Sequence, residues 1–246
     1  VTTQEVIERF KQPAPVSLIR VGDGEKIVLD GFQNPDQLDY VLKRQLGFSP
    51  AIEHAREIRE NLIKAIDGCN ILGIPKHKNL ASLGSNWRHA ETTVDKFCPN
   101  VTKRRCSIDI AYDIAKEGFS FLNGLEELTI IGCRDLEEGF KKKYKIEKVN
   151  WYCIAPEAKF TSYSGKPHYP DQFIRVEGWM NKIDPRGKLL LVGAGVIGKI
   201  YCNWWRDMGG KAMDVGSMMD EWGGYVTRGP ERFLDRRDLN AKYFLG

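Results

Sequence analysis

Short, continuous apolar runs recur along this chain: VSLIRV (16–21), NILGIP (70–75), ELTIIG (127–132), VNWYCIA (149–155), KLLLVG (188–193) and KAMDVG (211–216). Between them lie longer segments whose apolar residues follow helical spacing. A run that stays apolar at successive positions suits a strand buried on both faces, and parallel neighbours need a helical crossover between them. The pattern therefore predicts an α/β fold: a mainly parallel, Rossmann-like sheet flanked by helices.

The helical segments carry their own punctuation. NPDQLDYVLKRQLG places Asn34 as N-cap, Pro35 at the first helical position and Gly47 at the stop. In AIEHAREIRENLIKAIDG, the residues Ile52, Ala55, Ile58, Leu62, Ile63 and Ile66 form one apolar stripe, and Glu53, Arg56, Glu57 and Glu60 are left for the polar face. Helical patterns also fit NWRHAETTVDKF, SIDIAYDIAKEG, DLEEGFKKKYK, DQFIRVEGWMNKI and IGKIYCNWWRDMG. With 246 residues the chain can bury a large core without staples. The loosest stretch, TSYSGKPHYPD (161–171), is followed by strands of the same style, so a single domain over residues 1–246 is expected, with that stretch as a loop and candidate lid.

Composition removes several classes. No apolar run approaches the roughly 20 residues of a membrane span, and VTTQEVIERF interrupts its apolar positions with charges, unlike a secretory signal. The cysteines (69, 98, 106, 133, 153 and 202) stand singly and mostly inside apolar segments, which reads as reduced thiols in a cytoplasmic protein. The dispersed histidines (54, 77, 89 and 168) lack zinc-ligand spacing. Basic clusters at 103–105, 141–143 and 236–237 read as solvated faces, because a net charge of +4 is modest; no nucleic-acid partner is expected.

Two glycine-containing turns carry the chemistry. In SLIRVGDGE the strand runs straight into Gly22-Asp23-Gly24-Glu25. The glycines suit a surface turn and the carboxylates suit a metal site, and the stretch alone supports both. In KLLLVGAGVIGKIY, Gly193-x-Gly195-x-x-Gly198 follows a strand and opens a helix, where backbone N–H groups can receive a pyrophosphate. The same glycines also serve close packing of helix on strand. An NAD(P)-dependent oxidoreductase is thus a rival reading. Against it, the acidic residue expected at the end of the next strand falls early, at Asp214, with Ser217 near the expected end, and too little chain follows Gly193 for the rest of a dinucleotide domain.

Strands of an open parallel sheet deliver their C-terminal ends to one edge, where ligands bind. The two turns can share that edge with MDVGSMMDEW, which adds Asp214, Asp220 and Glu221. Carboxylates beside a diphosphate cradle fit a hard cation, Mn²⁺ or Mg²⁺, bound by Asp23 and Glu25 and by phosphate oxygens. Arg20 is placed either to meet phosphate or to serve as a structural ion-pair partner.

Together SLIRVGDGE, IIGCRDLEEGFKKKYKIEKVNWYCIAPEAKF and LLLVGAGVIGKIYCNWWRDMGGKAMDVGSMMDEW resemble the glycosyltransferases of the GT-D fold, first described as a domain of unknown function. The resemblance spans most of the chain and implies the GT-D type of α/β sheet. It implies a metal-dependent enzyme moving a sugar from a nucleotide sugar, often a UDP-sugar, to an acceptor hydroxyl on a glycan, glycoprotein or glycolipid. The family's D-x-E motif falls on Asp23 and Glu25, and its late strand-end motif on Asp214, Gly216 and Glu221. Gly22, Gly24, Gly193, Gly195, Gly198 and Ser217 join Arg20, Asp214 and Gly216 as expected donor-binding positions. Where the family carries His after the late glycine this chain has Ser217, and Met219 stands where Asp is expected, so Glu221, or else Asp220, is the candidate catalytic base. A non-catalytic nucleotide-binding module is the remaining alternative.

Overall fold

The computed structural model of the chain describes residues 1–46, 48–75, 89–101, 104–157, 167–225, 227 and 243–245. The six apolar runs are strands: β1 (Val16–Arg20), β2 (Ile71–Ile74), β4 (Glu127–Gly132), β5 (Lys148–Cys153), β6 (Leu189–Gly193) and β7 (Lys211–Asp214). A further strand, β3 (Arg105–Ser107), begins at the last residue of the basic cluster 103–105 and was not expected from the sequence. Only Cys106 of it is buried and it pairs on one side, so it carries no apolar run. Its Arg105 is ion-paired with Glu91 and Asp95.

The strand order is β3-β2-β1-β7-β6-β4-β5 and every pairing is parallel. Alternate residues feed two cores. On one face Ile19, Leu190 and Val192 meet α2 (Asp23–Asp30), α3 (Pro35–Leu46), α4 (Ile52–Gly68), α5 (Ala90–Phe97), α8 (Phe173–Met180) and α9 (Gly195–Asp207). On the other face Leu18, Leu189 and Leu191 meet α1 (Thr3–Lys11), α6 (Ile110–Lys116), α7 (Glu137–Tyr144) and α10 (Met218–Trp222). The predicted Asn34 cap is present, its Oδ1 accepting from the Gln37 amide at 3.2 Å.

The chain leaves β1 for α2 on the first face and leaves the adjacent β7 for α10 on the second. Connections that part to opposite faces open a crevice at the strand ends, so the β1/β7 boundary is the switch point of the sheet. The candidate lid lies outside the described residues for positions 161–166; the next positions, His168–Gln172, form a short turn before α8.

Candidate active site

A cavity of about 580 Å³ opens at this crevice, a size suited to a small-molecule ligand. It draws on the C-terminal ends of β1, β3, β4, β5, β6 and β7 and on the flank of α3. Of the positions expected from sequence, Arg20, Gly22, Asp23, Gly24, Glu25, Gly193, Gly195, Gly216, Ser217 and Asp220 line it. Gly198, Asp214 and Glu221 do not.

Gly22-Asp23-Gly24-Glu25 is the N-cap and first turn of α2, not an isolated surface turn. Asp23 is exposed to the cavity, and its Oδ1 accepts from the Gly24 amide at 2.9 Å. Glu25 is buried. Its Oε2 accepts from the Gly22 amide at 2.8 Å, which closes the helix start in the manner of a capping box. Its Oε1 lies 2.9 Å from the Nζ of Lys199, a residue of α9 that the sequence reading did not single out.

Lys199 is the hub of the site. Its ammonium also lies 3.0 Å from Asp214 Oδ2 and donates to the Gly195 carbonyl at 2.9 Å, so all its protons have partners. Burial opposes the charge, but Asp214 and Glu25 outweigh it and hold Lys199 above the ordinary lysine value. The arrangement joins the three glycine-bearing segments around one buried cation. The signal for it in the sequence is a lysine one residue after the last fingerprint glycine.

Asp214 is the last residue of β7, and the strand ends there instead of near Ser217. The position matches that of a ribose-binding acid more closely than the sequence reading allowed. The side chain, however, is fully buried and faces Lys199 and the Arg20 Nε, at 3.5 Å, so a ribose hydroxyl has no route to it. Arg20 also donates from Nη1 to the Ile108 carbonyl at 3.2 Å, and its other terminal nitrogen lies against Gly216. Gly216 has φ +50° and no side chain, and the guanidinium occupies the space a Cβ would take.

The glycine fingerprint divides into two functions. Gly195 opens α9 at φ +54° on the cavity wall. Gly198 sits in the helix, where a Cβ would come within 2.9 Å of Val192, so it brings α9 close to β6. The Val196 amide, one of the donors a phosphate oxygen could take, donates to Gln45 Oε1 at 2.9 Å. Gln45, from α3, was also absent from the sequence reading.

The remaining wall is formed by α10 and its neighbours. Ser217 shares a hydrogen bond of 3.0 Å with the Tyr112 hydroxyl. Asp220 is held by the Arg134 Nε at 2.8 Å and accepts from Thr227 at 2.9 Å, while Arg134 stacks on Tyr225 at 3.8 Å. His168, buried beside the cavity, is bonded to the Tyr201 hydroxyl at 2.8 Å, and burial pushes it down to about 4, leaving the ring neutral at pH 7.

Four cationic side chains (Arg20, Arg44, Arg134 and Lys199) thus face five carboxylates (Asp23, Glu25, Asp109, Glu157 and Asp220) on the cavity wall. Such a wall does not by itself favour a diphosphate; an added cation would reverse that balance. Among the described residues no three His, Cys, Asp or Glu side chains gather as a complete metal cage. A hard cation shared with diphosphate oxygens needs only one or two protein carboxylates. Asp23 meets that requirement, whereas Glu25 would first have to exchange Lys199 for the metal.

A sequence profile of the GT-D fold-like domain matches residues 1–222. No curated protein sequence matches the chain. Among solved structures, a glycosyltransferase of the domain-of-unknown-function-1792 type from Streptococcus sanguinis is 13% identical, with TM-score 0.62 over 97% of this chain and 92% of that one. A structure described as the highly conserved domain of unknown function 1792 with a distinct glycosyltransferase fold is 16% identical, with TM-score 0.60 over 97% and 89%. At these identities the likeness establishes the fold.

Proposed function

The chain belongs to the GT-D fold-like family, and from that premise we propose that it is a metal-dependent glycosyltransferase. The reaction moves a sugar from a nucleotide sugar, with a UDP-sugar as the proposed donor, to a hydroxyl of a glycan, glycoprotein or glycolipid. The observation that carries this reading is the meeting of the acidic first turn of α2 with the glycine turn before α9 in one cavity at the β1/β7 switch point.

In this reading Asp23 binds Mn²⁺ or Mg²⁺ on the donor diphosphate. The cation, when bound, offsets the charge that develops on the leaving diphosphate. Arg20 and Lys199 hold the loop ends of β1, β6 and β7 in register, so that the donor meets a preorganised wall. A phosphate oxygen approaching the start of α9 competes with Gln45 for the Val196 amide. Gly193, Gly195 and Gly216 let the side chains of Met219, Gln45 and Arg20 pack directly against the backbone there. Six unpaired cysteines, four of them buried, support a cytoplasmic setting. Among the described residues no helix is long and apolar enough to cross a membrane.

The test is a panel of nucleotide sugars with Mn²⁺ or Mg²⁺, scored by release of the nucleoside diphosphate and by thermal shift. A metal-dependent shift and release with one donor, both lost in Asp23→Ala, is the expected result. If no donor stabilises the protein in the presence of metal and Asp23→Ala changes nothing, the reading fails.

A further inference from the structure

We propose that Asp109 is the catalytic base that takes the proton from the acceptor hydroxyl; this rests on the glycosyl-transfer reading above. Direct attack on the donor needs a carboxylate that faces the cavity and is not already committed to a cation. Glu25 is committed to Lys199, and Asp220 to Arg134 and Thr227. Glu221 lies outside the cavity lining, and Asp23 belongs to the donor's metal on this reading. Glu157 has one carboxylate oxygen buried and the other against Gly195 at the start of α9, on the donor's side of the crevice. Asp109 lines the cavity and is exposed to it, at the junction of β3 and α6.

Its backbone is well anchored. The Ile108 carbonyl accepts from Arg20, the Asp109 amide donates to Ser107 Oγ at 3.2 Å, and the Asp109 carbonyl accepts from the Asp113 amide at 3.0 Å. One turn further along α6, Tyr112 is bonded to Ser217, so this wall is continuous with the start of α10. Asp23 and the start of α9 stand on the face that carries α2, whereas Asp109 stands with α6 on the opposite face. A base across the crevice from the diphosphate is the arrangement that inversion requires. The acceptor oxygen forms its bond to the anomeric carbon as its proton passes to Asp109. The bond from that carbon to the phosphate oxygen breaks, and its electron pair leaves with the diphosphate.

The experiment compares wild type, Asp109→Asn and Asp109→Ser in release of UDP from UDP-glucose and UDP-galactose with Mn²⁺ or Mg²⁺ present, and with water and then azide as acceptor. Azide is an anion and needs no base. Asp109→Asn is expected to lower release to water by roughly 100-fold, to leave UDP affinity within about threefold, and to recover release with azide, giving the β-glycosyl azide. The Asp109 side chain makes no capping bond at the start of α6, and Asp109→Ser, whose residue type is equally suited to that N-cap position, is expected to behave the same way, separating base loss from helix loss. Retention of a third or more of the wild-type release, a loss that azide does not repair, or an α-glycosyl azide overturns the assignment of Asp109 alone. Absence of nucleoside diphosphate release by the wild-type chain from every donor of the panel above overturns the parent reading and this inference with it.

Discussion

The ammonium of Lys199 lies 2.9 Å from the Oε1 of Glu25, and both side chains are buried at the floor of the cavity. The D-x-E carboxylate expected to bind a metal is therefore paired with a protein cation, and Asp214 shares that cation at 3.0 Å. Two carboxylates and one ammonium, with Arg20 alongside, form a nearly balanced buried cluster whose members depend on one another.

Lys199→Met removes the common partner of two buried carboxylates. Breaking a buried pair from one side costs about 3 to 5 kcal/mol, and urea unfolding should show a loss in that range. The double variant Lys199→Met with Glu25→Gln should recover part of it, because one uncompensated charge is gone. A single variant within about 1 kcal/mol of wild type would show that the cluster contributes little.

Asp23 and Glu25 are expected to separate in metal binding. Mn²⁺ held with UDP, followed by electron paramagnetic resonance, should weaken about tenfold or more in Asp23→Asn. Glu25→Gln should chiefly lower the unfolding midpoint, since its carboxylate serves Gly22 and Lys199. Equal losses of Mn²⁺ affinity in both variants would mean that Glu25 leaves Lys199 for the metal.

Gly216→Ala places a methyl group where the Arg20 guanidinium lies and puts a side chain at φ +50°. The backbone term alone is about 1 kcal/mol, and displacement of Arg20 from Gly216 adds to it. Thermal unfolding should register a drop of at least that size, accompanied by weaker UDP binding. A variant as stable as wild type would show that Arg20 has another resting place.

His168 makes stability depend on pH. Burial depresses its folded value to about 4, while the unfolded chain titrates near the ordinary histidine value of 6.5, so the unfolded state binds more protons between them. The contribution is fully present above pH 6.5 and is lost as the pH falls through that window, by at most about 1.4 kcal/mol per pH unit. Urea unfolding of wild type and His168→Gln at several pH values between neutral and 4.5 should give a shallower slope for the variant. Parallel slopes would contradict the role of His168.

Much of the fold was legible because local patterns report burial directly. Continuous apolar runs such as Leu189–Gly193 mark strands covered on both faces, and Asn34-Pro35 marks a helix start, whatever the rest of the chain does. β3 escaped because an edge strand with one buried residue carries no such pattern. At the site, Asp23, Gly195 and Gly216 were legible as carboxylate and glycines at strand ends, where close backbone approach or left-handed backbone is needed.

Lys199, Gln45 and Asp109 were not legible. Each is an ordinary polar residue in or beside a helix, and its meaning comes from partners as much as 174 positions away, as with Glu25 and Lys199. By itself the sequence determined the class of sheet, the helices that cover it and the acid and glycine turns at its edge. Only the tertiary structure decided that β7 lies between β1 and β6, which places Glu25, Lys199 and Asp214 within ion-pair distance and leaves Asp23 and Asp109 facing the open cavity. The physical reason is that burial and hydrogen bonding select which strands become neighbours, and electrostatics among the side chains so juxtaposed then selects which charges remain available for chemistry.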